Sequence, residues 1–407
     1  MENKNKSKSS KINLSQLVLL GLGSLIGSGW LFGAWEASSI AGPAAIISWI
    51  IGFIVIGTIA YNYIEIGTMF PQSGGMSNYA QYTHGSLLGF IAAWANWVSL
   101  VTIIPIEAVS AVQYMSSWPW EWAKPMGALM KDGSISTIGL FAVYVIIAIF
   151  SLLNYWSVKL LTSFTSLISV FKLGVPLLTI IMLMISGFDT NNYGHSASAF
   201  MPYGSAPIFA ATTTSGIIFS FNAFQTIINM GSEIKNPEKN IARGIAISLT
   251  LSAILYIVLQ STFITSMPSS MIHEHGWNGI NFNSPFADMA ILLGINWLAI
   301  LLYVEAVVSP FGTGVSFVAV TGRVLRAMEK NGHIPKFLGK MNEQYNIPRV
   351  AIVFNAIISM IMVTLFRDWG TLAAVISTAT LVAYLTVPTT VISLRKMAPK
   401  MTRPFKA

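Results

Sequence analysis

Lys172 is the only basic residue deep inside an apolar stretch, in the run Val170-Phe171-Lys172-Leu173-Gly174. An ionisable side chain in hydrocarbon is costly and is read as functional by default. At that depth a lysine either gains and loses one proton in a working cycle or stays bonded to carbonyls at a helix end. Two carboxylates raise a similar question. Glu107 follows Pro105, and Glu305 precedes Pro310. Proline removes a backbone bond and kinks a helix, so each carboxylate either faces a local cavity or is satisfied by its neighbours. Glu65 and Asp288 lie near the ends of apolar stretches and read as interfacial. Ser309 and Thr313 share a helix face at i and i+4, where hydroxyls also commonly bond back to their own helix.

The second chemical feature is a glycine cluster. Gly21, Gly23, Gly27 and Gly29 surround Ser24 and Ser28, with Leu25 and Ile26 between. One or two such glycines let neighbouring helices approach closely. Each costs about 1 kcal/mol in a helix interior, so four in so short a span point to an unwound segment. Unwinding at mid-membrane frees N–H and C=O groups, which is tolerable only where they line a cavity and meet a ligand or ion. The restarted helix at Gly27-Ser28-Gly29 would present bare N–H groups and a positive dipole end, a match for a carboxylate.

Other chemistries leave no pattern. There is no cysteine, which excludes disulfides and thiolate metal sites. The five histidines, His84, His195, His273, His275 and His333, read as loop residues without helical metal-ligand spacing. Phosphate-binding glycine loops are missing, which argues against an ATP-driven pump. The residues call for no enzyme activity, no metal and no cofactor. The net charge of +8 does not suggest a nucleic-acid partner, because the basic residues sit at the ends of apolar runs instead of on one folded face.

Composition sets the elements that must hold these groups. Of the 407 residues 54% are hydrophobic and 9% charged, and mean hydropathy is +0.65. Soluble domains carry about 25% charged residues, so most of this chain must face lipid or other helices. Apolar stretches able to cross about 30 Å of hydrocarbon run from Leu14 to Ile40, Ala44 to Met69, Leu87 to Met115, Ile138 to Leu153 and Leu161 to Ile185. Five more run from Ile208 to Met230, Ile245 to Thr265, Phe286 to Val320, Val350 to Phe366 and Trp369 to Leu394. With the N-terminus inside, every Lys and Arg except Lys124, Lys131, Arg367 and Lys172 falls on the cytoplasmic side, as the positive-inside rule requires. The reading is an all-α, multi-pass protein of the cytoplasmic membrane with about ten transmembrane helices and both termini cytoplasmic. Trp118, Trp120 and Trp122 suit an outer aromatic belt.

Four segments carry a family resemblance: Gly23-Ser24-Leu25-Ile26-Gly27-Ser28-Gly29, Pro71-Gln72-Ser73-Gly74-Gly75, Glu233-Ile234-Lys235-Asn236-Pro237-Glu238-Lys239-Asn240, and Arg326-Ala327-Met328-Glu329-Lys330-Asn331-Gly332-His333-Ile334-Pro335. At this spacing the chain resembles the amino acid–polyamine–organocation (APC) permeases. Trp30-Leu31-Phe32-Gly33-Ala34-Trp35-Glu36 and Ala92-Ala93-Trp94-Ala95-Asn96-Trp97 further resemble the bacterial aspartate–proton symporter group. The resemblance implies two inverted five-helix repeats, residues 14–186 and 208–394, with the first helix of each broken around a central site. Residues 1–13 and 395–407 would be cytoplasmic tails and 187–207 an extracellular loop. Relatives usually carry two further helices beyond such a core.

The same resemblance implies a proton-coupled carrier for an acidic amino acid, aspartate before glutamate, with an exchanger or a neutral amino acid permease as the alternative. The substrate would meet Ser24, Ile26, Gly27, Ser28 and Gly29 at the first break, and Phe219, Ser220, Phe221 and Asn222 at the second, with Phe219 as an aromatic gate. Lys172 matches the proton-coupling lysine of relatives and would reach Gly23 and the hydroxyl of Ser309 or Thr313. The partners implied are the amino acid, protons and the lipid bilayer; oligomeric state is left open. One departure concerns the second break. Taken alone, Ile217 to Met230 contains no Gly or Pro and reads as an unbroken helix, and Ala223 stands where relatives often have glycine.

Overall fold

The computed structural model describes residues 11–72, 76–156, 158–342 and 347–407, without the side chains of 156, 158–167, 169 and 170. Ser73, Gly74 and Gly75 of the second motif lie outside the described residues, as do Lys4, Lys6 and Lys8 of the N-terminal tail.

Helices dominate because the apolar runs leave the backbone no other way to satisfy its N–H and C=O groups. The first run forms two helices, α1 (Leu14–Leu25) and α2 (Gly29–Ala41). Asn13 starts α1 through a capping box: its side chain accepts from Gln16 N at 2.9 Å, while Gln16 Oε1 accepts from Asn13 N at 3.0 Å. Then come α3 (Ala45–Met69), α4 (Gln81–Ser116), α5 (Thr137–Trp156) and α6 (Val158–Ser186). The later half holds α7 (Ala206–Thr214), α8 (Ile217–Asn222), α9 (Gln225–Asn229), α10 (Pro237–Ser266), α11 (Pro285–Leu292), α12 (Asn296–Lys330), α13 (Arg349–Leu365), α14 (Trp369–Tyr384) and α15 (Thr386–Met397). Among the described residues, six helical runs are long and apolar enough to cross a membrane, and four shorter apolar helices accompany them.

The centre is built on α4, which packs along α12 and α14, while α10 packs along α1 and α3. Outward faces remain apolar: Leu87, Phe141, Ile185 and Leu365 are each at least 66% exposed. So large an apolar exterior fits lipid, not water.

The structure revises several expectations. The stretch expected from Phe286 to Val320 is two helices, α11 and α12, because Gly294 takes a left-handed φ of 75° and ends the first of them. The helices carrying Pro105 and Pro310 run on through those prolines. The non-helical residue inside α4 is Gly85, with φ 74° and ψ −174°. His84 sits in the first turn of α4, and His273 and His275 belong to the helix Ser269–Gly279, so three of the five histidines are helical, not in loops. Glu65 is buried at the end of α3 under Arg395, whose Nε and Nη2 donate to its two oxygens at 3.1 and 2.5 Å. Bidentate pairing with the half-exposed Arg395 lets a carboxylate at this end of the helix, read as interfacial, be covered without losing its partner. Asp288 reads as a local cap: its Oδ2 accepts from Ser284 N at 2.9 Å.

Candidate functional site

The glycine cluster does unwind the first helix. α1 stops at Leu25, Ile26 turns to φ −89° and ψ 87°, and α2 restarts at Gly29 behind Ser28. Backbone groups released at a break inside a protein must find partners, and here they can be traced. Ile26 N–H closes on Leu22 O at 2.9 Å, and Gly27 N–H on Leu25 O at 3.2 Å. Leu25 O also accepts from the Tyr256 hydroxyl of α10 at 2.6 Å. Gly23 O accepts from Lys172 Nζ at 2.8 Å.

The restarted helix meets a carboxylate of the protein itself. Ser28 N–H lies 3.1 Å from both Oε1 and Oε2 of Glu107, which reaches across from α4 and is fully buried. A bare N–H at a helix start, with the dipole behind it, is an anion site. Glu107 fills it in the manner expected of a substrate carboxylate. The approach is close: a methyl group on Gly27 would lie 2.6 Å from Glu107 Oε1. Of the three N–H groups expected to hold a substrate, those of Gly27 and Ser28 therefore have protein partners.

Lys172 is 3% exposed on α6. Besides Gly23 O it donates to Thr313 Oγ1 on α12 at 2.5 Å. Thr313 Oγ1 in turn donates to Ser309 O at 3.2 Å, so its hydroxyl serves both expected roles, acceptor for the lysine and back-bond to its own helix. The Ser309 hydroxyl lies next to the buried Glu305 carboxylate, and apart from each other neither group finds a hydrogen-bond partner among the described residues. Glu107 and Glu305 both lie close enough to Lys172 to interact with its charge. Lys172, Glu107 and Glu305 are thus buried near one another beside the break.

The stretch that looks ordinary in sequence is broken. Gly216 adopts φ 83°, which a residue with a Cβ rarely takes, and a methyl there would also meet the Trp369 ring at 3.1 Å or less. α8 begins behind it and ends at Asn222; Ala223, with φ −72° and ψ 2°, separates it from α9. Side chains from α14 hold this second break. Asn222 Nδ2 donates to Thr380 Oγ1 at 2.8 Å, Gln225 Nε2 donates to Asn222 Oδ1, and Gln225 Nε2 also donates to the Tyr384 hydroxyl at 2.5 Å. Ser220 Oγ bonds back to Gly216 O at 2.9 Å. Phe221 packs in a cluster with Trp49, Phe53 and Tyr256, leaving only its backbone for a ligand.

Trp369 connects the two breaks. Its Nε1 donates to Ser28 Oγ at 3.0 Å, and its ring meets the Phe219 ring with centroids 6.1 Å apart. Sequence reasoning missed Tyr256, Trp369, Thr380 and Tyr384. They lie on α10 and α14, far along the chain from both breaks, as polar tips on otherwise apolar helix faces. That is a weak signal before the helices are assembled.

Comparison with known proteins agrees with the geometry. An amino acid permease family model matches residues 12–407. The chain belongs to the APC superfamily of amino acid permeases. The permease is 52% identical over 390 residues to the glutamate/serine transporter AimA of Bacillus subtilis (strain 168), covering 96% of this chain and 72% of that protein. It is 35% identical over 398 residues to the aspartate-proton symporter of the same organism, covering 97% and 74%, and 26% identical over 410 residues to its methylthioribose transporter, covering 100% and 85%. The permease is a multi-pass membrane protein that moves small molecules. Its relatives are named as transporters or permeases, which are not enzymes.

The Tyr256 contact yields a measurable expectation for the permease. Tyr256→Phe removes the donor that serves Leu25 O, and leaving a buried carbonyl short of a partner costs about 1–3 kcal/mol. The variant is expected to fold with a lowered thermal midpoint and to lose several-fold in initial uptake rate. An unchanged midpoint and rate would show that Gly27 N–H satisfies that carbonyl alone.

Proposed function

We propose that the permease is a proton-coupled symporter that imports an acidic amino acid, glutamate or aspartate, by alternating access. The reading takes the chain as ten spans in two inverted repeats, 14–186 and 208–394, with residues 1–13 and 395–407 cytoplasmic and 187–207 outside. The observation that carries it is the first break, where Lys172 ties Gly23 O to Thr313 and Glu107 sits on Ser28 N–H. A substrate α-carboxylate would take the N–H groups of Ser28 and Gly29 as Glu107 withdraws. Its ammonium would meet carbonyls near Ser24 and at Phe219 to Asn222, with Ile26 and Ser220 shaping the floor and Phe219 closing over it. Proton loss from Lys172 would release α6 from the break and couple the proton gradient to the change of access. Glu305 and the neighbouring Ser309 hydroxyl, with no other partner among the described residues, are the groups best placed to receive or steady the proton.

The names of two relatives support the substrate class, one a glutamate/serine transporter and the other an aspartate-proton symporter. A second reading, carriage of a small neutral amino acid such as serine, is favoured by the absence of a free cation among the described residues of the breaks. Uptake into proteoliposomes of labelled glutamate, aspartate, serine, leucine and lysine, with and without an imposed pH gradient, separates these. Accumulation of the acidic pair that depends on the gradient is expected. Gradient-independent exchange would make the permease an antiporter, and serine uptake without competition by either acidic amino acid would replace the substrate.

A further inference from the structure

At the far end of α12 three cations lie outside the site described above. Arg323, Arg326 and Lys330 follow one another at spacings of three and four residues, which puts them on one helix face. That face lines a cavity of about 490 Å³, within the range of small-molecule sites. No hydrogen bond or ion pair ties any of the three to a described residue. Glu233, Gln72 and Asn78 line the same cavity. Among the described residues the lining holds three basic groups and one acid, which suit a ligand with two carboxylates and one ammonium. A bare inorganic dianion would find Glu233 repelling it.

We infer that this cavity is a second, cytoplasmic docking site for the acidic amino acid, with Arg323, Arg326 and Lys330 on its carboxylates and Glu233 on its ammonium. The inference rests on the substrate class and orientation proposed above. A positive concavity raises the local concentration of an anion and its rate of capture, an effect that salt screens. The cavity therefore sets affinity at the cytoplasmic face and leaves the extracellular face untouched.

The test compares the full chain with the Arg323→Gln/Arg326→Gln/Lys330→Gln variant in right-side-out and inside-out membrane vesicles, measuring KM for labelled L-glutamate from each face at low and physiological ionic strength. The cytoplasmic-face KM is expected to rise about tenfold in the variant and to lose its salt dependence, with the extracellular KM within about twofold. Glu233→Gln should also raise the cytoplasmic KM, whereas cations acting only as a diffuse field would make it fall. Arg323→Gln alone, at an exposed position, gives a smaller shift in the same direction and serves if the triple variant does not fold. A KM unchanged on the cytoplasmic face, or raised equally on both, overturns the inference while acidic uptake stands. An unmodified protein that carries no acidic amino acid from either face overturns the substrate reading itself, and this inference with it.

Discussion

Lys172→Ala is expected to abolish accumulation driven by a pH gradient while leaving a folded protein that still exchanges substrate. The ammonium makes two bonds, to Gly23 O and to Thr313 Oγ1. Hydrogen bonds to charged groups are worth about 1.5–3 kcal/mol each, so losing either shifts a two-state equilibrium roughly tenfold or more. Proton and substrate binding are reciprocally linked, so removing the titrating group removes the coupling. In proteoliposomes the gradient-driven accumulation ratio should collapse to the level seen without a gradient, with counterflow retained. Lys172→Arg is a sharper case. A guanidinium keeps the charge but is not deprotonated in a protein, so this variant should bind substrate and fail to couple. Full gradient-driven accumulation by a well-folded Lys172→Ala protein would sink the proposal and move attention to Glu107 and Glu305.

Glu107→Gln is expected to lower KM several-fold and lower kcat by more than tenfold. The carboxylate now sits on the N–H that a substrate carboxylate would use, and charge-assisted bonds are roughly twice as strong as neutral ones. An amide of the same shape competes less well for Ser28 N–H, so substrate binds more tightly. Without the charge that returns to the helix start, release slows. A fall in KM together with kcat separates a competitor from a group that only binds. A rise in KM at constant kcat would assign Glu107 to substrate binding, where its partner would be the ammonium.

What the sequence made legible follows physical lines. Lys172 stands out because no other base lies so deep in an apolar run, and the first break because four glycines close to one another cannot be cheap in a helix. The second break could not be seen in its own residues. Ala223 is an ordinary helix former, and the interruption depends on the φ of Gly216 and on Thr380 and Tyr384, more than 150 residues onward. The Glu107 contact has the same character. Its proline neighbour drew attention to it, but the partner is a main-chain N–H 79 residues earlier, and a main-chain donor leaves no mark in a sequence. The histidines were misplaced for a smaller reason: helix starts such as that of α4 are polar and resemble loops before the first turn is drawn.

Three of the contacts at the first break belong to the main chain: the carbonyls of Gly23 and Leu25 and the N–H of Ser28. A library of alanine variants leaves all three atoms in place, so such a scan will credit the distant side chains and miss the groups they hold. The same atoms survive nearly any substitution at the residues that carry them, so the break can keep these contacts while the side chains around it change. Chemistry that edits the polymer reaches them directly. An ester in place of the Gly27–Ser28 amide deletes the Ser28 N–H and weakens the Gly27 carbonyl as an acceptor, and would weigh that donor in the transport cycle.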